Sequence, residues 1–265
     1  MNAFLYLLFL AISFGASSVG AICGIGGGVI IKPLLDAFGV LSVSVISFLS
    51  GCTVLAMTCY SVVKSKLSGE SLVDMRTGTP LALGAAIGGG LGKTMFQTIS
   101  NLFADKETVG AVQAACLLVI TFGTLFYTLK KEYIRTKQIK NLLPCVLIGM
   151  ILGIFSSFLG IGGGPINLVV LFYFFSMDTK TAAQNSLYII LFSQIFSLLN
   201  SLMTKSVPEF APLLLVLMVA GGILGGIFGR KINRRIDGKV VDKLFIGLMM
   251  IIIGINIYNI YRFIH

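Results

Sequence analysis

The stretch Gly24-Ile25-Gly26-Gly27-Gly28 interrupts an apolar run extending over residues 4–38, and it returns as Gly160-Ile161-Gly162-Gly163-Gly164 inside the run 142–176. The apolar segments that follow the two clusters, 29–38 and 166–176, are too short to cross a hydrocarbon core of about 30 Å. Glycine lacks a Cβ and interrupts a helix readily, so each run reads as a broken helix pair that turns at its glycines. The same offset carries Ser50, in Ile46-Ser47-Phe48-Leu49-Ser50, onto Ser186, in Ala182-Ala183-Gln184-Asn185-Ser186. With one more residue, Gly84, Gly88 and Gly92 fall on Gly221, Gly225 and Gly229, and Lys93 falls on Arg230. Matched features in the same order define an internal repeat of about 135 residues.

Of the 265 residues 56% are hydrophobic and 11% charged, and the mean hydropathy is +0.98. Soluble domains carry roughly a quarter charged residues, so the composition belongs to the membrane class. The expected fold is an all-α polytopic membrane protein of two inverted repeats, each a broken re-entrant helix hairpin plus three transmembrane helices. The first repeat, 1–135, contains hairpin 4–38 and spans 42–63, 79–96 and 109–129. The second, 136–265, contains hairpin 142–176 and spans 181–203, 211–229 and 241–261. The apolar start, Met1 to Ala21, lacks a basic leader and runs straight into the first glycines, so it is read as part of the mature fold.

The net charge of +10 does not point to nucleic acid, because the bases sit in loops beside apolar spans, as on cytoplasmic membrane faces. Their sorting bears on topology. If 4–22 and 142–159 both cross, the 20 Lys and Arg divide evenly between the two sides. If 4–38 and 142–176 are re-entrant, fifteen collect in loops 64–78, 130–141, 177–180 and 230–243, leaving Lys32, Lys93, Lys106, Lys205 and Arg262 opposite. The second arrangement has the asymmetry of a real topology. Its three crossings per half turn the second half over, with basic loops cytoplasmic and both termini outside.

Hairpins entering from opposite faces bring their tips together near the midplane, where transporters with inverted repeats hold substrate. Free N–H groups and the positive end of a short helix suit an anion. The candidate site is therefore Gly26, Gly27, Gly28, Gly162, Gly163 and Gly164, with Ser50, Gln184, Asn185 and Ser186 as neutral donors and Lys32 as a cation close by. The bland readings are close packing for the glycines, interhelical hydrogen bonds for the polar groups and snorkelling for Lys32. Neither cluster continues into the Gly-Lys-Ser/Thr of a nucleotide loop. Every Asp and Glu reads as lying in or beside a loop, Asp36 included, so no buried carboxylate for cation coupling is expected. The only histidine is His265, and Cys23, Cys52, Cys59, Cys116 and Cys145 form no CxxC pair. No metal, no cofactor and no enzymatic centre is expected, and the cysteines read as small buried side chains.

With its paired glycine clusters, the Ala182–Ser186 segment and the glycine-spaced third helix of each half, the chain resembles the sulfite exporter TauE/SafE family of bacterial permeases. The resemblance implies a bacterial inner-membrane carrier that exports or takes up small sulfur oxyanions, such as sulfite or thiosulfate, or organosulfonates. Relatives often carry Thr-Ser where this chain has Leu49-Ser50, which implies that the first-half side of the pocket is either drier or tuned to a different substrate. The expected partners are a small anion and membrane lipid; the glycine faces allow, but do not require, a second copy in a homodimer. The alternatives are a carrier of other small organic anions and a membrane assembly factor that transports nothing.

Overall fold

The computed structural model describes residues 3–102 and 106–264. Met1, Asp105 and His265 lie outside them, as does the side chain of Lys106. Each apolar stretch is a helix. In chain order these are α1 (Ala3–Cys23), α2 (Gly28–Phe38), α3 (Val43–Leu67), α4 (Met75–Leu102), α5 (Lys106–Lys130), α6 (Leu142–Phe158), α7 (Pro165–Phe175), α8 (Thr179–Met203), α9 (Pro212–Asn233) and α10 (Gly238–Ile264). Six of the described helices are long and apolar enough to cross a membrane: α1, α3, α5, α8, α9 and α10. The glycine-rich α4 is less apolar overall, yet it exposes Leu83, Ile87, Leu91 and Met95 at four-residue spacing. An apolar outer stripe over a glycine-lined inner one is the pattern of a helix facing lipid.

Local chemistry sets the ends. Gly39 stops α2 and Ser176 stops α7, both in the left-handed region. Asp178 starts α8, its carboxylate accepting from the N–H groups of Lys180 and Thr181. Burial pushes the pKa of this carboxyl up, but those bonds and the Thr181 hydroxyl outweigh it and hold the group below its ordinary range. Its stabilisation is therefore present above the unfolded carboxylate pKa and is lost as the pH falls through the folded one. Asp178→Ala should cost about 1 kcal/mol, read as a lower melting temperature whose deficit shrinks in acid.

Packing repeats across the chain. Gly84, Gly88 and Gly92 of α4 lie so close to the backbone of Val146, Met150 and Ile154 on α6 that a Cβ would overlap it. Gly221, Gly225 and Gly229 of α9 meet Leu10, Phe14 and Ser18 of α1 in the same way. Each of those α1 residues is 136 positions before its α6 counterpart. In the same manner α3 packs on α9 and α8 on α4, while α2 rests on α10 and α7 on α5. The central pair, α3 and α8, runs antiparallel. Ser65, near the end of α3, bonds Gln184 near the start of α8, and Gly51 faces Gln194 and Leu198 further along.

Both glycine faces are thus filled within one chain, which removes the sequence argument for a homodimer through them. Cysteine burial is also uneven: Cys23 and Cys145 are buried, but Cys59 is exposed.

The loops gather by end. Glu70 joins Arg230 and Arg234, Lys131 joins Asp242 and Thr179, and Asp74 shares a cavity wall with Lys140 and Asp178. These contacts bring segments 64–78, 130–141, 177–180 and 230–243 to one end. At the other end Arg262 donates to the Asp36 carbonyl, and Gln97 of α4 donates to Ser206.

Candidate functional site

Both breaks are built alike. After α1, the N–H groups of Gly24 and Ile25 both bond the Gly20 carbonyl, at 2.8 and 3.1 Å. After α6, Gly160 bonds the Ser157 carbonyl and Ile161 that of Ser156, at 3.2 and 3.3 Å. The chain then turns through left-handed positions at Gly24 and Gly26, and at Gly160 and Gly162, with φ between +65° and +76°. Side-chain residues adopt that region reluctantly.

The two turns meet. A Cβ on Gly28 would overlap the carbonyl oxygen of Ile161, and one on Gly26 would stand 3.5 Å from that of Gly162. The walls around them correspond. Gly24 touches Ala183 of α8, whereas Gly160 touches Ser47 of α3; Gly26 and Gly163 both touch Ile190, and Gly162 touches Val54. Gly27 faces Ser17 of α1 at 3.0 Å, and Ile25 and Ile161 are sealed inside. All six predicted glycines come to one buried region.

The short helices α2 and α7 begin there. Their caps, Gly27 and Gly164, have no side chain to cover the first N–H groups, so the positive helix ends face the junction of the breaks. Close by, one helical face of α3 carries Ser47, Ser50 and Val54, and one face of α8 carries Ala183, Ser186 and Ile190. Ser47, Ser50 and Ser186 are buried, and their hydroxyls have no hydrogen-bond partner. The Ser17 hydroxyl is in the same condition. Buried hydroxyls are normally paired, so four unpaired ones beside two helix starts leave donors free for a ligand.

The amides take another place. Gln184 accepts from the Ser65 hydroxyl at 3.0 Å and from the Leu72 N–H at 2.9 Å, and it donates to the Glu70 carbonyl. It thereby straps the α3–α4 loop over a cavity of about 360 Å³ that reaches Ala183, one wall of the first break. Arg230, Arg234 and Lys180 line the cavity mouth, and Glu70 bridges the two arginines at 2.9 and 2.5 Å. Asn185 donates to the carbonyls of Leu72 and Thr181, while its buried Oδ1 is unpartnered.

Lys32 lies elsewhere. Its Nζ is 2.6 Å from Asp36 Oδ2, one turn along α2, with both side chains buried. Asp36 thus corrects the expectation that acids keep to loops: it is 5% exposed, inside α2. The four-residue spacing of Lys32 and Asp36 was the available signal, since a helix sets such residues side by side. Ser17 was harder to find. It is one serine in an apolar helix, and its counterpart in the second half is Gly153. Lys93 is buried, and Arg230 is tied to Glu70.

A helical chain with apolar outer faces and six helices of membrane length is a multi-pass membrane protein. The family model described as sulfite exporter TauE/SafE matches residues 9–257, and the chain belongs to that family. No curated protein and no solved structure matches it.

Proposed function

We propose that this chain is a secondary transporter of small sulfur-containing anions, with the substrate held between its two glycine breaks. The observation that carries this reading is the meeting of the breaks, Gly28 against the carbonyl of Ile161, beside unpaired Ser50 and Ser186 hydroxyls. N–H groups at the starts of α2 and α7 and these hydroxyls donate to an oxyanion without adding full charges. No carboxylate contacts the breaks among the described residues, so an anion is favoured over a cation. Gln184 lines the arginine-rich cavity that reaches Ala183, while Asn185 faces Gly78 of α4 and the Leu72 carbonyl. Lys32, neutralised by Asp36, holds α2 in place and adds no net charge to the site.

In this reading residues 1–135 and 136–265 are inverted repeats. Two observations support the inversion: α3 and α8 occupy corresponding places and run antiparallel, and the segments holding fifteen bases share one end. Helices α1–α2 and α6–α7 form re-entrant hairpins, the basic end is cytoplasmic, and both termini face outward from the bacterial inner membrane. One chain is the transporting unit. Access alternates as one repeat moves against the other.

The test is charge movement on a solid-supported membrane after jumps of sulfite, thiosulfate, sulfate, sulfoacetate, taurine, acetate and chloride. Saturable currents are expected for sulfur anions, with none in Gly163→Leu, whose side chain would overlap Ile190. Larger currents for acetate would favour a general organic-anion carrier. Silence here and in isotope flux would sink the transporter and leave the assembly factor.

A further inference from the structure

The antiparallel α3–α8 pair has a cavity at each end, and the two are built from corresponding positions. One is the arginine-rich cavity under the Gln184 strap. The other, of about 320 Å³, is lined by Lys93 and Gln97 of α4, Ser44 in the first turn of α3, and Thr204 and Ser206 just after α8. The internal offset pairs Lys93 with Arg230, Gln97 with Arg234, and Ser206 with Glu70.

Charge separates the two ends. At the first, the Glu70 carboxylate sits on Arg230 and Arg234. At the second, Ser206 brings no charge. Lys93 is only 8% exposed, yet among the described residues its Nζ makes no hydrogen bond or ion pair, and its neighbour is the Phe96 ring, 5.2 Å from Nζ to centroid. The helix starts differ in the same sense. Asp178 caps α8 with its carboxylate, but its counterpart Ser42 gives α3 no side-chain cap. The Lys93 cavity therefore combines an ammonium that has no anionic partner among the described residues with the positive end of a helix, on a largely buried side chain.

We propose that the Lys93 cavity is a second anion-binding site that takes a small oxyanion of one or two negative charges. The Glu70 carboxylate marks the corresponding position in the other half, where the chain supplies its own anion. Lys93 Nζ holds the ligand and the Ser44 N–H and hydroxyl donate to it, beside the Thr204 and Ser206 hydroxyls, which line the cavity and are bonded to α8 and to each other. The site rests on the inverted-repeat reading above, not on transport itself.

The test is equilibrium dialysis of radiolabelled sulfate against the purified full chain in detergent at low ionic strength. Lys93→Gln and Ser206→Glu should each lower the affinity of one binding equivalent at least tenfold, whereas Lys93→Arg should keep it. Ser206→Glu gives Lys93 a carboxylate partner and so separates an occupied site from a damaged fold. Glu70→Gln should add one equivalent by releasing Arg230 and Arg234. Sulfate binding that is unchanged in both Lys93→Gln and Ser206→Glu would overturn the proposal.

A phospholipid headgroup offers the same oxyanion. A repeat with phosphatidylglycerol in the micelles therefore names the occupant: loss of the Lys93-dependent equivalent assigns it to lipid phosphate, and its retention to the free anion. Binding requires no flux. A chain silent in the current assay that still binds sulfate through Lys93 would lose the transport reading and keep this site, and the converse result would do the opposite.

Discussion

Valine in place of Gly28 should reduce the anion current about 100-fold, in line with the rate lost when a reacting or binding group is displaced by about 1 Å. At that position even a Cβ would overlap the carbonyl oxygen of Ile161, which belongs to the opposite break. The backbone cannot yield there without pushing the breaks apart, and overpacking of this kind costs about 1–3 kcal/mol. Loss of current alone would not distinguish a binding site from a packing contact. Two further variants do. Gly123→Val, where a Cβ meets nothing within 4 Å, should leave current and melting temperature unchanged. Gly164→Ala is the sharper comparison, because Gly164 has an extended backbone, and its new methyl would meet only the flexible tip of Ile161, at 3.0 Å. It should melt close to the native chain and still lose about tenfold in current, since the methyl stands at the start of α7 where the anion is to bind. If Gly164→Ala carries native current, the breaks are packing devices and the substrate lies elsewhere.

The proposed repeat is legible in the sequence because its markers are glycines. A glycine needed for close approach leaves a fixed position in the sequence, and Gly84, Gly88 and Gly92 fall on their counterparts with a constant shift. Their contacts with Val146, Met150 and Ile154, and those of Gly221, Gly225 and Gly229 with Leu10, Phe14 and Ser18, were not legible, since no local rule says which neighbour fills a small-residue groove. That gap left a dimer open: an unfilled glycine face and one filled by a distant part of the same chain look identical in sequence. Gln184 shows a similar limit. Its position beside Asn185 and Ser186 suggested the breaks, but a long side chain near a helix start reaches outward, and it binds the loop at Leu72 and Glu70 instead. Ser50 and Ser186, with short side chains, stay where the helix face puts them.

Lys93 and Arg230 teach the complementary lesson. Matched positions in a repeat predict matched geometry, and both do line corresponding cavities. They do not predict matched charge, because the acid that neutralises Arg230 comes from a loop whose counterpart carries Ser206. In the proposed two-repeat reading, the halves thus present different electrostatics at their two ends.

The ion pair of Lys32 and Asp36 should behave as a unit. Their side chains are 3% and 4% exposed with 2.6 Å between the charged atoms, so removing either partner strands the other in a medium that solvates it poorly. Asp36→Asn or Lys32→Met alone should each cost about 3–5 kcal/mol, read as a steep drop in melting temperature. The double variant Lys32→Met/Asp36→Leu should recover most of the loss, because apolar groups of similar size need no compensation. What surrounds the pair argues for a structural task. Asn259 of α10 donates to the Pro33 carbonyl at 2.9 Å, and Arg262 donates to the Asp36 carbonyl. The turn of α2 that contains the pair is thus clamped to α10, at the end of α2 away from the break. The double variant should therefore regain its anion current along with its stability. Recovery of stability without current would return Lys32 to the anion path, since the fold would then be intact and only the charge missing.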